Sequence, residues 1–220
     1  MENKQKKVAA VVRYILPPIV KLWIRKITGL ENLPKNSAFI LAPNHSSYFE
    51  HLAIGCIIVP YTSKKLHFIA KKEHFASMSQ STWHRLWSRY VAYIPIDRDK
   101  GAEALATATA HLRQGAMIVI YPEGTRSLGG KMQRGKTGIA RIVLEAKVPV
   151  VPLGIKGMFE IMPKGKHFPA FKRAEFHFGK PIYFDDYYKK PITKDLLREM
   201  TNVIMKEIAT LSEQEYTLID

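Results

Sequence analysis

Short apolar runs that alternate with longer helical stretches constrain the fold of this chain more than any other feature. The clearest run covers residues 116–121 (Ala-Met-Ile-Val-Ile-Tyr) and has the length and apolar character of a buried strand. Similar runs lie at 38–42, 66–70, 93–96, 148–155 and 174–179, and helical sequence separates most of them. This alternation is typical of α/β folds. We therefore predict one α/β domain with a central mostly parallel or mixed sheet flanked by helices.

One of these runs contains two prolines. Residues 148–153 read Val-Pro-Val-Val-Pro-Leu, so Pro149 and Pro152 interrupt an apolar strand. Proline has no backbone N–H to donate to a ladder and is therefore confined mostly to edge strands and bulges. We predict that this strand lies at an edge of the sheet or contains a bulge, close to the functional site.

The distribution of positive charge suggests a second region. The net charge is +15 at pH 7, which predicts an anionic partner: nucleic acid, an anionic membrane or phosphorylated small molecules. The first 26 residues hold seven lysines and arginines and one acid, interleaved with large apolar side chains. Arg13 and Lys21 interrupt the apolar run and Pro17-Pro18 would kink a helix, so a membrane-spanning helix is not predicted.

We predict instead that residues 1–28 form a basic amphipathic helical segment on an anionic membrane surface, with residues 29–220 as the main domain. The alternative, a first helix packed on that domain, stays open. A nucleic-acid partner is not predicted, because the chain has no recognisable reading motif. The lone Cys56 excludes an intrachain disulfide. The eight histidines show no spacing typical of metal ligands, so we predict no metal.

His45 and Glu50 are the strongest candidates for chemistry. An imidazole followed by a carboxylate supplies a general base and a group that orients it. On one helix, five positions rotate the side chains apart by roughly 140°. The two can meet if His45 lies in the loop after the strand at 38–42 and Glu50 lies in the first turn of the next helix. Alternatively, Ser47 and Glu50 form a capping box without any catalytic role.

A second candidate follows the strand at 116–121. Residues 121–127 read Tyr-Pro-Glu-Gly-Thr-Arg-Ser, and loops at the carboxyl ends of strands are where α/β sheets place their ligands. Gly124 permits close backbone approach, Thr125 offers a hydroxyl, and Arg126 offers a forked cation suited to phosphate. The alternative is a surface turn with a solvated arginine. Lys71 and Arg98 add cations at two further strand ends.

Taken together and in this order, the segments resemble the four sequence blocks of the glycerolipid acyltransferase family, which contains the lysophosphatidate (1-acylglycerol-3-phosphate) acyltransferases. The first block is a His and an Asp separated by four residues, matched by His45 and Glu50. The second, an early Lys and a late Arg, is matched by Lys71 and Arg98. The third block is matched in full at residues 121–127, and the fourth, a Val-Pro-rich strand, at 148–153. Glu50 departs from the family pattern, because it is one methylene longer than the usual Asp.

The resemblance implies an O-acyltransferase of phospholipid biosynthesis. His45 would take the proton of the free hydroxyl of lysophosphatidate, which then attacks the thioester of acyl-CoA or acyl-carrier protein, and Glu50 would steady the imidazolium. Arg126, with Arg98 and Lys71, would hold the acceptor phosphate. Glu123 would orient Arg126 or bind the glycerol hydroxyl, with Gly124 and Thr125 beside it. No cofactor is expected beyond the acyl donor, and the protein would act as a peripheral or monotopic protein on the cytoplasmic face of a membrane.

Two alternatives stay open from the sequence. The acceptor could be glycerol-3-phosphate or another lysolipid, because the motifs do not distinguish phosphorylated acceptors. The chain could also be a catalytically silent protein that binds anionic lipid, and the Glu at position 50 favours that alternative.

Overall fold

The structure of the protein is a computed structural model that describes residues 14–62, 66–71, 91–96 and 101–216, with the backbone alone at positions 70, 71, 95 and 96. Within these ranges seven strands form one sheet in the order β1-β7-β6-β2-β5-β3-β4. The strands are β1 (Ile24–Thr28), β2 (Phe39–Pro43), β3 (Leu66–Lys71), β4 (Val91–Ile96), β5 (Met117–Val119), β6 (Val150–Lys156) and β7 (Ala174–Phe178). Neighbouring strands run parallel except β6 and β7, which run antiparallel. The predicted mixed sheet is confirmed.

Helices cover both faces of this sheet. The described helices are α1 (Leu16–Val20), α2 (Phe49–Tyr61), α3 (Gly101–Arg113), α4 (Gly138–Ala146), α5 (Met158–Ile161) and α6 (Lys194–Ser212). Successive strand residues point to opposite faces. Phe39 and Leu41 of β2 accordingly pack with residues of α1, α2 and α5, whereas Ile40 and Ala42 pack with residues of α3, α4 and α6. The predicted α/β domain with helices on both sides is confirmed.

The expectation of an edge strand at the two prolines is wrong. Strand β6 pairs with β2 on one side and with β7 on the other, near the middle of the sheet. Pro152 is tolerated because the pairing toward β7 is interrupted there, between the isolated bridge Val150–Ile182 and the ladder that begins at Leu153. The Pro152 carbonyl accepts a hydrogen bond from Gly179 N at 2.9 Å, so the same side of the strand keeps one contact without needing the missing N–H.

The described part of the predicted N-terminal segment, residues 14–28, forms several short elements and no long helix. It contains α1, the 3₁₀ turn Lys21–Trp23 and strand β1, which pairs in parallel with β7. Tyr14, Ile15, Ile19 and Leu22 leave large apolar side chains exposed. Among the residues described, we find no helix with the length and apolar content needed to cross a bilayer.

Candidate active site

The loop between β2 and α2 carries His45 and is tied to the neighbouring strand β6. Asn44 is buried, and its amide Nδ2 donates to the carbonyl of Ile155 at 2.9 Å. In return the Asn44 Oδ1 accepts from the Ile155 N at 2.8 Å. The side chain thus pairs with β6 as a strand backbone would, directly after β2 ends. This fixes the start of the loop and the position of the residue that follows, His45.

Glu50 gathers the loop around one fully buried carboxylate. Its Oε2 contacts Nδ1 of His45 at 2.7 Å. Its Oε1 accepts hydrogen bonds, each of 2.8 Å, from the N and Oγ of Ser46 and from the N of Ser47. These donors compensate the buried charge, which would otherwise be costly. Glu50 therefore reaches the imidazole and also binds the backbone just before α2, so the His–Glu pair is present together with the half of the capping box in which Glu50 accepts from Ser47 N.

The contact with Glu50 sets the tautomer of His45. Because Glu50 already accepts three hydrogen bonds, we assign the Nδ1 of His45 as the donor to Oε2. Nε2 is then the ring nitrogen with a lone pair, and it makes no hydrogen bond to any described residue. A neutral imidazole with a free Nε2 and a carboxylate behind Nδ1 can accept a proton from a bound hydroxyl.

Tyr121 forms the wall behind the imidazole. Its ring is stacked on His45, with centroids 3.8 Å apart and an interplanar angle of 24°. Burial, with smaller contributions from the nearby Glu50 and Tyr93, raises the pKa of Tyr121 well above its ordinary value, so the phenol stays neutral. Its hydroxyl is buried and finds no hydrogen-bond partner in the described part of the chain. The ring, rather than the hydroxyl, makes the contact with His45.

Glu123 braces the same loop from the other side. It is 2% exposed, and its two carboxylate oxygens accept the N–H groups of His45 and Gln133, each at 2.8 Å. Burial raises its pKa to about 7, with a further contribution from Glu50, although the two backbone donors act in the opposite direction. Its hydrogen bonds within the described chain go to backbone, with none to Arg126, so the geometry favours support of the histidine loop.

Arg126 lies next to the histidine loop with part of its guanidinium unused. The following residue, Ser127, donates its N–H to the carbonyl of His45 at 2.8 Å. The guanidinium carbon stands 3.3 Å from the centroid of the Tyr48 ring, a cation–π contact. Its Nη1 is buried without a hydrogen-bond partner among the described residues. A buried cationic donor with spare capacity is the feature that an anionic ligand would satisfy.

The turn before Arg126 depends on Gly124. This glycine has φ +73°, in the left-handed region that side chains rarely adopt. A Cβ built there would stand 2.9 Å from Cδ of Lys136 and 3.0 Å from its Nζ, so the lysine side chain lies directly over the turn. Thr125 is exposed and contacts Gln133 at 3.4 Å. The turn therefore has a second cation, Lys136, over Gly124, which lies two residues before Arg126 in the chain.

The other two predicted cations cannot be placed as side chains. Lys71 is the last residue of β3, and only its backbone is described. Arg98 lies outside the described residues. Strand β3 is next to β5, so the backbone of Lys71 belongs to the same carboxyl edge as residues 121–127. Whether these two side chains contact a substrate stays a prediction.

A cleft of about 720 Å³ adjoins the histidine loop at Ser46. Its walls come from residues 129–134, 155–160 and 212–216. Apolar side chains such as Met158 and Phe159 line it beside polar and charged ones such as Lys131. This space is large enough for part of a substrate to lie next to the loop that holds His45.

Three residues of the site were not predicted from the sequence: Asn44, Tyr121 and Lys136. Asn44 lies directly beside His45, and Tyr121 opens the motif at 121–127; each follows a strand, and that position was the available signal. Lys136 follows a glycine in a basic stretch, Arg134-Gly135-Lys136, which by itself is no different from solvated lysines elsewhere.

Comparisons with known proteins agree with this arrangement. A family model described as Acyltransferase matches residues 24–156. A 1-acyl-sn-glycerol-3-phosphate acyltransferase of Bacillus subtilis is 30% identical over 194 residues, which cover 86% of this chain and 88% of that protein. A Chlamydomonas reinhardtii protein of the same printed activity is 30% identical over 141 residues, but the match spans only 41% of its length.

The fold is also found in a solved structure. The crystal structure of the 1-acyl-sn-glycerophosphate acyltransferase PlsC from Thermotoga maritima superposes with a TM-score of 0.69 and 24% sequence identity. The match covers 98% of this chain and 84% of that one. At this identity the likeness concerns the fold.

Proposed function

The chain belongs to the acyltransferase family and is an O-acyltransferase, and on that premise we propose that it moves a fatty acyl group to the free hydroxyl of lysophosphatidate in phospholipid biosynthesis. The donor would be acyl-CoA or acyl-carrier protein. The observation that carries the proposal is the pairing of His45 with Glu50 beside the incompletely satisfied guanidinium of Arg126. The name of the Bacillus relative supports lysophosphatidate as the acceptor.

In the proposed reaction His45 acts as a general base. Its Nε2 takes the proton of the acceptor hydroxyl as the hydroxyl oxygen attacks the thioester carbonyl carbon. The C–S bond then breaks, and the imidazolium returns the proton to the leaving thiolate, so that an ester and a free thiol result. Glu50, 2.7 Å from Nδ1, stabilises the imidazolium between these steps. General-base catalysis of this type contributes a factor of about 10²–10⁴ in rate.

The acceptor phosphate would be held by Arg126. Its unpaired Nη1 supports this role, because a phosphate oxygen would satisfy a buried donor that the described residues do not. Lys136, over the turn at Gly124, would add a second cation, and Lys71 and Arg98 remain proposed helpers. Gly124 would let the backbone approach the substrate, and Thr125 would contribute its exposed hydroxyl. The main effect of these contacts would be to fix the hydroxyl against His45.

Glu123 would act as a positioning residue in this scheme. Its carboxylate holds the backbone N–H of His45 and that of Gln133 in the loop after Arg126. It would therefore hold the loop of His45 in a fixed position relative to the loop that carries Arg126, and would not contact the glycerol hydroxyl or the guanidinium.

The protein would carry out this reaction at the cytoplasmic surface of a membrane, as a peripheral or monotopic protein. The exposed apolar side chains of residues 14–22 and the positive charge of the first 26 residues support an interfacial location. Residues 1–28 would be the segment that contacts anionic lipid.

The test is an acyl-transfer assay with purified protein and three acceptors: lysophosphatidate, glycerol-3-phosphate and lysophosphatidylcholine. Each acceptor is paired with acyl-CoA and, separately, with acyl-carrier protein. We expect transfer to lysophosphatidate, and a loss of about 10²–10⁴-fold in kcat for His45→Ala. Lys206→Ala is the control, because Lys206 is exposed on α6 and lies outside the site. Equal rates for wild type and His45→Ala would refute the role of His45, and transfer to glycerol-3-phosphate alone would refute the acceptor.

A further inference from the structure

The loop of residues 163–173, between α5 and β7, presents two aromatic side chains to solvent. Phe168 is 86% exposed and Phe171 is 74% exposed. The sequence contains no acidic residue between Glu160 and Glu175, whereas the loop carries four exposed cations: Lys164, Lys166, Lys172 and Arg173. Two large exposed aromatics on a purely cationic loop indicate a surface that is covered by a partner in use.

Backbone hydrogen bonds hold this loop in a defined shape. Ala170 N donates to the carbonyl of Ile161 at 2.8 Å, and Lys172 N donates to the carbonyl of Ala170 at 2.8 Å. Lys166 N donates to the carbonyl of Pro163 at 3.1 Å. The two phenylalanines are thus presented outward by an ordered backbone, in spite of the cost of exposing them to water.

The loop is attached to both the N-terminal segment and the active site. Trp23 donates its Nε1–H to the carbonyl of Ala170 at 3.0 Å, and its ring packs edge-on against Phe171 and against Phe49, the residue before Glu50. At the start of the loop, the Met162 carbonyl accepts the hydroxyl of Ser47 at 2.7 Å. The exposed aromatics therefore belong to the same side of the molecule as α1 and the start of α2.

We propose that residues 163–173 form a membrane-docking surface, with Phe168 and Phe171 inserted at the level of the lipid headgroups and the flanking cations on anionic lipid phosphates. Aromatic side chains bordered by lysine and arginine match an anionic membrane surface. The rings suit the apolar region just below the headgroups, and the cations suit the negatively charged phosphates above it. The contact with Trp23 joins this surface to the segment of residues 14–22, which carries further exposed apolar side chains.

The consequence for catalysis rests on the proposed function. A lysophospholipid acceptor keeps its acyl chain in the bilayer, so the site must stand at the membrane surface. Because Ser47 is bonded to the start of the loop and contacts Glu50 through its N–H, docking of the loop would place the His45 loop at that surface. The bilayer contact itself does not depend on which acceptor is used.

The decisive experiment places an environment-sensitive fluorophore on the loop. Cys56 is buried, so a cysteine introduced at an exposed position is labelled selectively. Lys166→Cys reports the loop, and Lys206→Cys is the matched control, an exposed lysine on α6 at the opposite face of the sheet. Vesicles of phosphatidylglycerol and phosphatidylcholine are added to the labelled chain of 220 residues. We expect a blue shift of the label at position 166 and no shift at position 206.

Substitutions then test the side chains. Phe168→Ser removes one exposed ring, and we expect about tenfold weaker vesicle binding in cosedimentation. Because Phe171 packs on Trp23, Phe168→Ser is the variant whose folding is least at risk. Exchanging Lys164, Lys166 and Lys172 for glutamine should weaken binding in the same way, whereas the same exchange at Lys189, Lys194 and Lys206 removes equal charge elsewhere and should have a smaller effect.

An unshifted label at position 166 in the presence of bound vesicles overturns the proposal. A shift with acidic acyl-carrier protein but not with vesicles also overturns it, since the loop would then be a protein-docking surface. Transfer to a short-chain, monomeric lysophosphatidate should be unchanged in Phe168→Ser while transfer to a bilayer-embedded one falls. If the wild type acylates no lysophosphatidate at all, the proposed acceptor is wrong, and the label still decides the docking surface.

Discussion

The ring of Tyr121 is stacked on the imidazole of His45 with centroids 3.8 Å apart, although the two residues are 76 positions apart in the chain. They meet because β2 and β5 are adjacent parallel strands, so the residues that follow each strand emerge at the same edge of the sheet. The hydrogen bond to Glu50 fixes one ring nitrogen, and the stack restricts rotation of the imidazole about that bond. Together the hydrogen bond and the stack fix the direction in which Nε2 points.

This relationship predicts different outcomes for two substitutions of Tyr121. Tyr121→Phe keeps the stacked ring and removes a buried hydroxyl without a described partner, so we expect wild-type kcat and a free energy of unfolding higher by about 1 kcal/mol. Tyr121→Ala removes the stack, so kcat should fall by about tenfold or more while the acceptor KM stays similar. Steady-state kinetics and urea denaturation measure both. A Phe variant as impaired as the Ala variant would contradict this explanation.

Shortening Glu50 should separate its two contacts. In Glu50→Asp the carboxylate cannot reach His45 Nδ1 and also keep the N–H groups of Ser46 and Ser47, so one set of donors is lost. We expect kcat to fall by about 10–100-fold, or the free energy of unfolding to fall by about 1–3 kcal/mol, according to which set it keeps. Kinetics and urea denaturation on the same preparation distinguish the two. Unchanged values of both would show that the extra methylene of Glu50 is irrelevant here.

The stacking of Arg126 on Tyr48 should govern acceptor affinity. Arg126→Lys keeps the charge but loses the planar fork, so we expect the acceptor KM to rise by about 10–100-fold with the donor KM unchanged. Tyr48→Leu should raise the acceptor KM less, because the guanidinium remains but loses its support. Arg141→Ala, an exposed arginine on α4, is the control and should have no effect. A rise in donor KM alone would assign Arg126 to the donor.

Glu123 should make stability depend on pH. Burial raises its pKa to about 7 from an ordinary value of 4.5, so between these values the folded state binds more protons than the unfolded state. Stability therefore falls as pH rises through this window, by at most about 3 kcal/mol. Glu123→Gln should lose this dependence, although its amide cannot accept both backbone N–H groups and it will be less stable at pH 5. Urea denaturation from pH 5 to 8 measures the difference between the two proteins. A difference independent of pH would contradict the raised pKa.

A side chain at Gly124 should lower the stability of the protein. Its φ of +73° and the Lys136 side chain over it predict that Gly124→Ala loses about 1–2 kcal/mol of unfolding free energy. Gly129→Ala is the control on the same loop, since a Cβ there meets no atom within 4 Å and its φ lies outside the left-handed region. Thermal denaturation compares the two, and equal losses would show that the turn at Gly124 is not specifically strained by a side chain.

Local pattern is enough to predict much of this fold and part of its site. Most strands are apolar runs, and His45 meets Glu50 within five residues, so neither depends on long-range order. The order of the strands depends on long-range contacts. For that reason the two prolines predict an edge strand, whereas β6 lies inside the sheet. The sequence also does not indicate β1, because Ile24–Thr28 has two adjacent cations between isoleucines that are three positions apart, a spacing typical of an amphipathic helix.

Sheet order also explains the residues that sequence reasoning missed. Tyr121 reaches His45 only because β5 pairs with β2, and Asn44 reaches Ile155 only because β6 does. Lys136 lies over Gly124 because its N–H donates to the carbonyl of Pro122 at 2.8 Å, a contact across the long loop between β5 and α4. No periodicity in the sequence encodes these contacts, since the first two join distant strands and the third depends on the folding of a long loop.

The amide bridge between Asn44 and Ile155 has a consequence for synthesis on the ribosome. The two residues are 111 positions apart, so this anchor of the histidine loop forms only after most of the polypeptide has emerged. Domains whose contacts are distant in sequence assemble late and slowly. In a nascent chain His45 is therefore synthesised long before its loop can be positioned. Activity should begin only when β6 has paired with β2.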